Sequence, residues 1–532
     1  MSDQNKSGLR LHWKSLAACS LISMSPFQYG VDYTLIGGFQ AMVGFLKVFG
    51  YKDSGSSTGW NISSERQQLI SSLMVLGAFI GSCSAGPLAT LLGRKTTLQI
   101  AVILIYVSNV VMMTTDTIGG LYAGRLIIGV GNGFLMTFSQ LYIQECSPAR
   151  YRGLMLGWFQ FWTSFGSLVG TIVDNFTEKS TGKDSYIIPL GLIFIIPAIL
   201  VIGMFFIPES PRWLLQRDEV EKARKALVWL RPDQETVEQE MGEIQHAIEL
   251  ERGLASGTSV WDMFTNPIDR RRTILAVGAV TTQAASGAMF MIAYGTYFFE
   301  MAGVGDAFEN SCILTAVGVV AILLNIAVIT HIGRRRLFLV TGLILCGFSQ
   351  LVVAIVYTVK PGTSGSGKAI VALSVIFICA YNGMVSTYAW VSGGELPSQR
   401  LRSYTFGLAA AIGFLGAVTH QWLTTFTAPY FINVASLNWG PKYGYIWFPS
   451  CLIAAAFIYL YLPEVKGRTL EEIDEMFEQR VPARKFASYK CVGSAALEAR
   501  RKNSATTLED TKKPRDSGDS EKAAVETIEN KD

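Results

Sequence analysis

The chain has 532 residues, half of them hydrophobic and only 16% charged, with a mean hydropathy of +0.32. It is too apolar for a soluble protein of this length, so it belongs in a bilayer. A formal net charge of +4 is too small to call for a nucleic-acid partner.

A spanning helix needs about 20 mostly apolar residues. Twelve such windows can be placed, at 15–38, 69–91, 97–114, 118–141, 155–174, 187–207, 273–299, 311–331, 336–358, 369–392, 404–426 and 444–462. The expected division is a polar N-terminus at 1–14, a six-helix bundle at 15–207, a linker at 208–272, a second six-helix bundle at 273–462 and a tail at 463–532. The fold class is accordingly an all-α membrane protein, twelve transmembrane helices in two pseudo-symmetric bundles. From about Val481 the tail is rich in Lys, Glu, Ser and Asp without apolar periodicity, and is expected to be disordered. The linker from Arg217 to Gly253 has helical periodicity and mixed charge, which predicts short amphipathic helices bracing the two bundles.

The two halves answer one another. Gly93-Arg94-Lys95 is matched by Gly333-Arg334-Arg335 240 positions later, Glu145…Arg152 by Glu395…Arg402 at 250, and Pro208-Glu209 by Pro463-Glu464 at 255. Three landmarks in one order at nearly constant spacing indicate an internal duplication. The basic loops all fall on one side of a twelve-span topology, which makes that side, with both termini, cytoplasmic. Asn61-Ile62-Ser63 and Asn175-Phe176-Thr177 are glycosylation-type triplets on the opposite side. Eight cysteines are scattered singly, as core residues are, and suggest neither a disulfide framework nor a metal site.

In the first window, Asp32 is the most informative residue. A carboxylate at membrane depth is expensive and marks ion or proton handling; the bland alternative places it in an aqueous vestibule with a structural hydrogen bond. The fourth window opens with Gly124-Arg125 and continues through Gly129, Gly131 and Gly133, whose small side chains permit close helix packing. Arg125 is the natural partner of Asp32, which predicts that protonating Asp32 releases it. Otherwise Arg125 snorkels to the interface.

With these residues in view, the chain resembles the sugar-porter family of the major facilitator superfamily over almost its whole length. The likeness rests on Gly93-Arg94-Lys95, Gly124-Arg125, Glu145-Cys146-Ser147-Pro148-Ala149-Arg150-Tyr151-Arg152-Gly153, Pro208-Glu209-Ser210-Pro211-Arg212-Trp213-Leu214, Gly333-Arg334-Arg335 and Pro463-Glu464-Val465-Lys466-Gly467-Arg468-Thr469. The runs Tyr294–Glu300 and Glu395–Arg402 look most like fungal sugar and α-glucoside permeases. The resemblance implies that Asp32 carries the coupling proton and Arg125 pairs with it, with no other cofactor. It also implies cytoplasmic gating by Arg94, Glu145, Arg152, Glu209, Arg334, Glu395, Arg402 and Glu464, whose charge-assisted contacts would latch the halves together. The family's Asp three residues before the Gly-Arg pair is replaced by Thr90 and Thr330, which implies a softer latch or one rebuilt around Glu145, Glu209, Glu395 and Glu464.

The resemblance further places four residues at the substrate. Gln160 lies eight residues after Arg152, in an aromatic run where an amide and ring faces suit a sugar's hydroxyls and C–H faces; the alternative is a bond to a neighbouring helix. Gln283 matches the first of two family glutamines, while Ala284 and Met289 replace other polar groups. Tyr294 matches one family tyrosine and Ala293 replaces its partner; Trp390 matches a substrate-stacking tryptophan, against the reading of an interfacial belt residue. Gly413 stands where some relatives have a glutamine, and His420 and Gln421 are polar in an apolar run.

The function expected is proton-coupled symport of a sugar such as a hexose or α-glucoside by a monomer, at the plasma membrane by resemblance, with a vacuolar address left open. A facilitative uniporter, a carrier of a polyol or quinate-like acid, and a non-transporting sugar sensor stay open. No nucleotide-binding loop, zinc-spaced cluster or nucleophile-base constellation suggests an enzyme.

Overall fold

The computed structural model describes residues 12–491 apart from 54–58, 149–150, 181, 232, 256–260, 302–304, 332–333, 362, 399–400, 416–420, 434–435, 438, 467, 469 and 490. Its spanning units fall into two sets of six. Span 1 is Trp13–Ser23 continued by Ser25–Phe39, and spans 2 to 5 are Ser64–Leu91, Arg94–Thr114, Ile118–Cys146 and Arg152–Thr177. Span 6 is Asp184–Leu192 continued by Ile195–Phe206. Span 7 is Pro267–Ala285 continued by Ala288–Met301, and spans 8 and 9 are Ala307–His331 and Arg335–Val359. Span 10 is Ser364–Ala380, carried through a π-helical turn at Tyr381–Ser386 into Thr387–Glu395. Span 11 is Arg402–Leu415 with Gln421–Ile432, and span 12 is Gly444–Tyr461.

Among the described residues, eight of these units are long and apolar enough to cross a membrane by length and composition alone. Spans 1 and 5 carry polar side chains of the central cavity, span 7 is divided at Gly287, and span 11 is interrupted at the undescribed residues 416–420. Several helices start earlier than the apolar windows: span 2 at Ser64, span 7 at Pro267 and span 8 at Ala307. A polar first turn is invisible to a hydropathy window yet capped well. The Ser63 hydroxyl accepts from the Arg66 N–H at 3.4 Å, and the Asn266 side chain from the Ile268 N–H at 3.0 Å. Span 11 also runs on to Ile432, past the expected end at 426. One departure from pure helix is a two-residue antiparallel pairing of Tyr51–Lys52 with Trp60–Asn61, between spans 1 and 2.

Spans 2 and 4 pack through small residues as expected: the backbone of Gly129 lies on the Met74 carbonyl and that of Gly133 on the Ala78 carbonyl. Span 7 breaks at Gly287, whose φ of +77° is open to glycine and whose missing Cβ leaves room for the Trp447 ring. That break resets the rotational register of the second piece, with consequences for the cavity.

Between the halves, helices Pro211–Gln216, Val220–Leu230 and Gln234–Ala255 close a small core of their own around Leu214, Leu227, Val237 and Ile248. The helices of the linker are anchored to the first half by hydrogen bonds. Buried Arg231 donates to the Cys146 carbonyl at the end of span 4 (3.1 Å) and to Ser15 Oγ (3.3 Å), and is neutralised by Glu240. The second half repeats the device with different parts. Arg272 donates to the Leu396 and Pro397 carbonyls at the end of span 10 (2.8 and 3.1 Å) and pairs with Asp474 at 2.5 Å. Asp474 lies on the tail helix Leu470–Glu478, and after it Ala483–Ser488 is ordered with Phe486 buried against Phe477. The expectation of disorder from Val481 is therefore corrected for these residues: a single aromatic anchors a stretch too short to show periodicity. Residues 492–532 lie outside the described chain.

Replacing Arg231 leaves Glu240 and the carbonyl end of span 4 unpaired. Arg231→Ala is expected to cost about 2–4 kcal/mol, read as a lower melting temperature of the detergent-purified chain, whereas Arg224→Ala, in an exposed pair with Glu238, leaves it within experimental scatter.

Candidate functional site

Between the halves lies a cavity of about 1170 Å³, its solvent-open mouth included. Spans 1, 4, 5, 7, 8 and 10 supply the lining. Gln160, Gln283 and Trp390 face it, as the sequence reading expects. The Gln283 amide is held on both sides, donating to the Ser386 carbonyl at 3.4 Å and accepting from Tyr381 Oη at 3.3 Å. Asn382 Nδ2 reaches Ser164 Oγ across the halves at 3.4 Å.

Tyr294 is a correction. It is fully buried outside the cavity lining, because the break at Gly287 turns Met291, Ile292, Gly295 and Thr296 toward the cavity instead. Ala284 is likewise buried away from it, and the burial of Gly413 and the side chains of Met289 and Ala293 lie outside what is described. His420 and the Gln421 side chain do so too.

Several lining residues were missed. Span 5 presents Gln160, Ser164, Ser167 and Thr171 at helical spacing, a polar stripe legible in the sequence once Gln160 is placed. Tyr381 and Asn382 interrupt an apolar run and sit in the π-helical turn, a feature frequent at functional sites. Asp174, a second buried carboxylate, closes against the backbone of Gly38 one turn beyond Thr171. An acid at the end of an apolar window was the signal for it.

Asp32 is on span 1 beside Tyr29, Tyr33 and Thr34 of the lining, and it is buried. Arg125 Nη1 donates to its Oδ1 at 2.7 Å, Arg125 Nε donates to the Ile70 carbonyl at 3.0 Å, and Asn132 Nδ2 stands 3.4 Å from Oδ2. Arg125 is 1% exposed, so it does not snorkel, and at 2% Asp32 is in no vestibule. The pair ties span 1 to spans 2 and 4.

At the end carrying the basic loops, charge is arranged twice over. Arg94 donates to Glu145 (2.7 Å) and to the Ala89 carbonyl (2.7 Å), and Glu145 also binds Ser210 Oγ. Glu209 accepts from the backbone N–H groups of Arg94 and Lys95, at 3.2 and 3.0 Å, capping span 3. Gly93 precedes it at φ +86°, and a Cβ there would lie 2.8 Å from Glu209 Oε2. Burial pushes the Glu209 carboxyl up from its ordinary range, and the donors at Ser210, Lys95 and Arg94 hold it down. In the second half Arg335 makes a two-pronged contact with Glu395 (3.1 and 2.7 Å), and Glu464 accepts from the N–H groups of Arg335 and Arg336 at 3.2 Å each.

The structural counterpart of Arg94 is thus Arg335, 241 positions on, and not Arg334, which is exposed at the cap position matching Gly93. The sequence register was off by one because Gly-Arg was matched as text, whereas the helix start fixes the equivalence. Arg402 lies close to Glu395 and Asp474, and the Arg152 side chain is outside what is described. These described pairs join residues of the same half, so they brace helix ends rather than latch the halves together. Across the halves, hydrogen bonds gather at the opposite end: Ser64 with Ser436 (2.7 Å), Asn433 with Gln67 (2.9 Å) and with the Ile62 carbonyl (3.1 Å), and Thr171 with Thr315 (2.9 Å). At that end Asn61 is buried with its amide on Asp53 at 3.1 Å, and Asn175 lies in the last turn of span 5.

Two bundles of six spanning helices around a shared polar cavity define a multi-pass membrane carrier. The profile of the family described as sugar (and other) transporter matches residues 18–477. The chain belongs to this sugar (and other) transporter family of the major facilitator superfamily, which is one of transporters rather than enzymes. It is 30% identical over 505 residues to the major facilitator-type transporter ecdD of Aspergillus rugulosus, covering 91% of each chain. To the low-affinity glucose transporter of Kluyveromyces lactis it is 28% identical over 488 residues, covering 88% of this chain and 84% of that one. Its fold is similar to that of the proton:xylose symporter XylE of E. coli, with a TM-score of 0.73 and 20% identity over 88% of this chain and 100% of the other.

The one-residue shift in register gives a direct test. Arg335→Ala is expected to lower the melting temperature and the surface yield, losing about 2–3 kcal/mol from the half-buried pair with Glu395, while Arg334→Ala changes neither; equal effects would restore the simple text match.

Proposed function

We propose that the chain is a proton-coupled sugar symporter working by alternating access, with the basic end cytoplasmic and the protein in the plasma membrane. The observation that carries the coupling is the Asp32–Arg125 pair at 2.7 Å, buried on the helix that also lines the cavity. The cavity supports a neutral polyhydroxylated solute: among its described lining residues none is charged, and amides, hydroxyls and the rings of Trp390, Tyr29 and Tyr381 alternate. A hexose or an α-glucoside has the matching pattern of hydroxyls and C–H faces.

Residues divide the mechanism as follows. With Asp32 ionised, Arg125 is held between it and the Ile70 carbonyl, and span 1 is pinned to spans 2 and 4. A proton on Asp32 removes the charge that holds Arg125, and span 1 is freed to move. Because Tyr29, Tyr33 and Thr34 lie on the same helix, sugar bound against them biases that motion, so proton and sugar move together. Release of both on the other side restores the pair. Gln160, Gln283 and Asn382 hold hydroxyls, and Trp390 offers a ring face.

Uptake of a panel of labelled hexoses, α-glucosides and polyols in cells lacking their own carriers tests this, with and without a protonophore. Uptake is expected to collapse with the protonophore. Asp32→Asn abolishes accumulation against a gradient while sugar exchange across the membrane persists. Wild-type uptake indifferent to the protonophore would establish uniport and reduce Asp32 to a structural role.

In the same assay Gln283→Ala is expected to raise KM about tenfold or more, since a sugar hydroxyl loses its buried partner. Tyr294→Phe, away from the cavity, leaves KM unchanged.

A further inference from the structure

Outside the cavity a groove of about 900 Å³ opens on the bundle surface at the basic end, between the starts of span 7 and the end of span 12. Its floor is Ile274, Phe457, Leu460 and Tyr461, and its rim is Arg270 and Arg271. Ile274, Leu460 and Tyr461 are 54%, 48% and 58% exposed, on helices that cross the bilayer, so the floor faces acyl chains. The two arginines stand where the headgroups lie.

The rim is positive and its neighbours do not cancel it. Arg270 is exposed, and no ion pair to it exists among the described residues. Arg271 rests over the Phe477 ring at 5.4 Å and gives one hydrogen bond to the Val481 carbonyl (3.1 Å), leaving further donors on its fork. Nearby Asp474 is taken by Arg272 at 2.5 Å, and Asp269 is buried. Beyond the groove Arg336 and Arg484 lie over the Tyr459 ring, at 4.8 and 5.5 Å, extending the basic edge. On the approach to span 7, Trp261 is 72% exposed, an amphipathic ring of the kind that settles at a membrane–water boundary, with the apolar Phe264 ring 46% exposed beside it.

We propose that this groove binds an anionic glycerophospholipid of the leaflet at the basic end, its phosphate on Arg270 and Arg271 and one acyl chain along Ile274, Phe457 and Leu460. A free phosphate ion would use the rim and ignore the floor; a neutral phospholipid would use the floor and gain little from the rim. The combination of the two selects a charged lipid.

The full chain, purified in detergent, is titrated with phosphatidylinositol, and bound lipid is counted by native mass spectrometry; phosphatidylcholine and inorganic phosphate are the comparison probes. Phosphatidylinositol is expected to be retained in preference to phosphatidylcholine, and inorganic phosphate not to displace it. Arg270→Gln, an exposed position that leaves packing intact, lowers its binding about fivefold, and Arg270→Lys restores most of it. Ile274→Trp fills the floor and displaces the lipid with every charge in place. Equal retention of phosphatidylcholine, unchanged binding in Arg270→Gln, or displacement by inorganic phosphate would overturn the proposal. Sugar uptake plays no part in the readout, so the outcome is independent of the transport reading.

Discussion

A charge cannot stay at membrane depth alone, and much of the first half is arranged around that constraint. Asp32 and Arg125 neutralise each other at 2.7 Å with both side chains buried. Taking either partner away from such a pair costs about 3–5 kcal/mol, because the other is stranded in a medium that solvates it poorly. The geometry therefore demands that span 1 lie against spans 2 and 4, and glycines on span 4 let those backbones approach. Among the described residues the second half's ion pairs all sit at its basic end. The duplication is thus symmetric in helices but not in chemistry: the titratable pair belongs to one half, whereas both halves contribute amides and hydroxyls to the cavity.

A second constraint is the backbone itself. In a bilayer the first N–H groups and last carbonyls of each helix must be satisfied near the surface. Each half meets it with the same two devices. A carboxylate, Glu209 or Glu464, caps the start of its third helix, and a buried arginine, Arg231 or Arg272, closes the carbonyl end of its fourth. The arginines come from unrelated places, one from the linker and one from the start of span 7, and their counter-ions Glu240 and Asp474 from the linker and the tail. That convergence explains why segments that look like solvated charge in sequence are pinned to the bundles.

The sequence made the rare features legible. Asp32 and Arg125 stood out because ionisable residues inside apolar windows are few, and Gln160, Gln283 and Trp390 through the resemblance to the sugar-porter motifs. What it concealed was rotational register. Tyr294 was placed at the cavity by matching a family tyrosine, and beyond the break at Gly287 it is Met291, Ile292, Gly295 and Thr296 that face the cavity. Asn382 was overlooked because a π-helical turn reorients it from an otherwise apolar span. Arg334 was preferred to Arg335 because the Gly-Arg dipeptide drew the alignment, when what the two halves share is a helix start and a carboxylate that caps it.

The two ends of the seam between the halves differ in kind, and this bears on how a carrier of this build alternates. At the end opposite the basic loops the described contacts include hydrogen bonds among Ser64, Ser436, Asn433, Gln67, Thr171 and Thr315. At the basic end they include packing contacts, with the Tyr404 ring on the backbone of Gly86 and the Gln144 side chain beside Gly394. Hydrogen bonds between helices in a membrane are worth about 0.6 kcal/mol each on average, so four of them amount to only about 2–3 kcal/mol. That is smaller than the cost of stranding one member of the Asp32–Arg125 pair. These hydrogen bonds therefore favour one arrangement of the halves without fixing it, and the helix packing across the seam carries the rest.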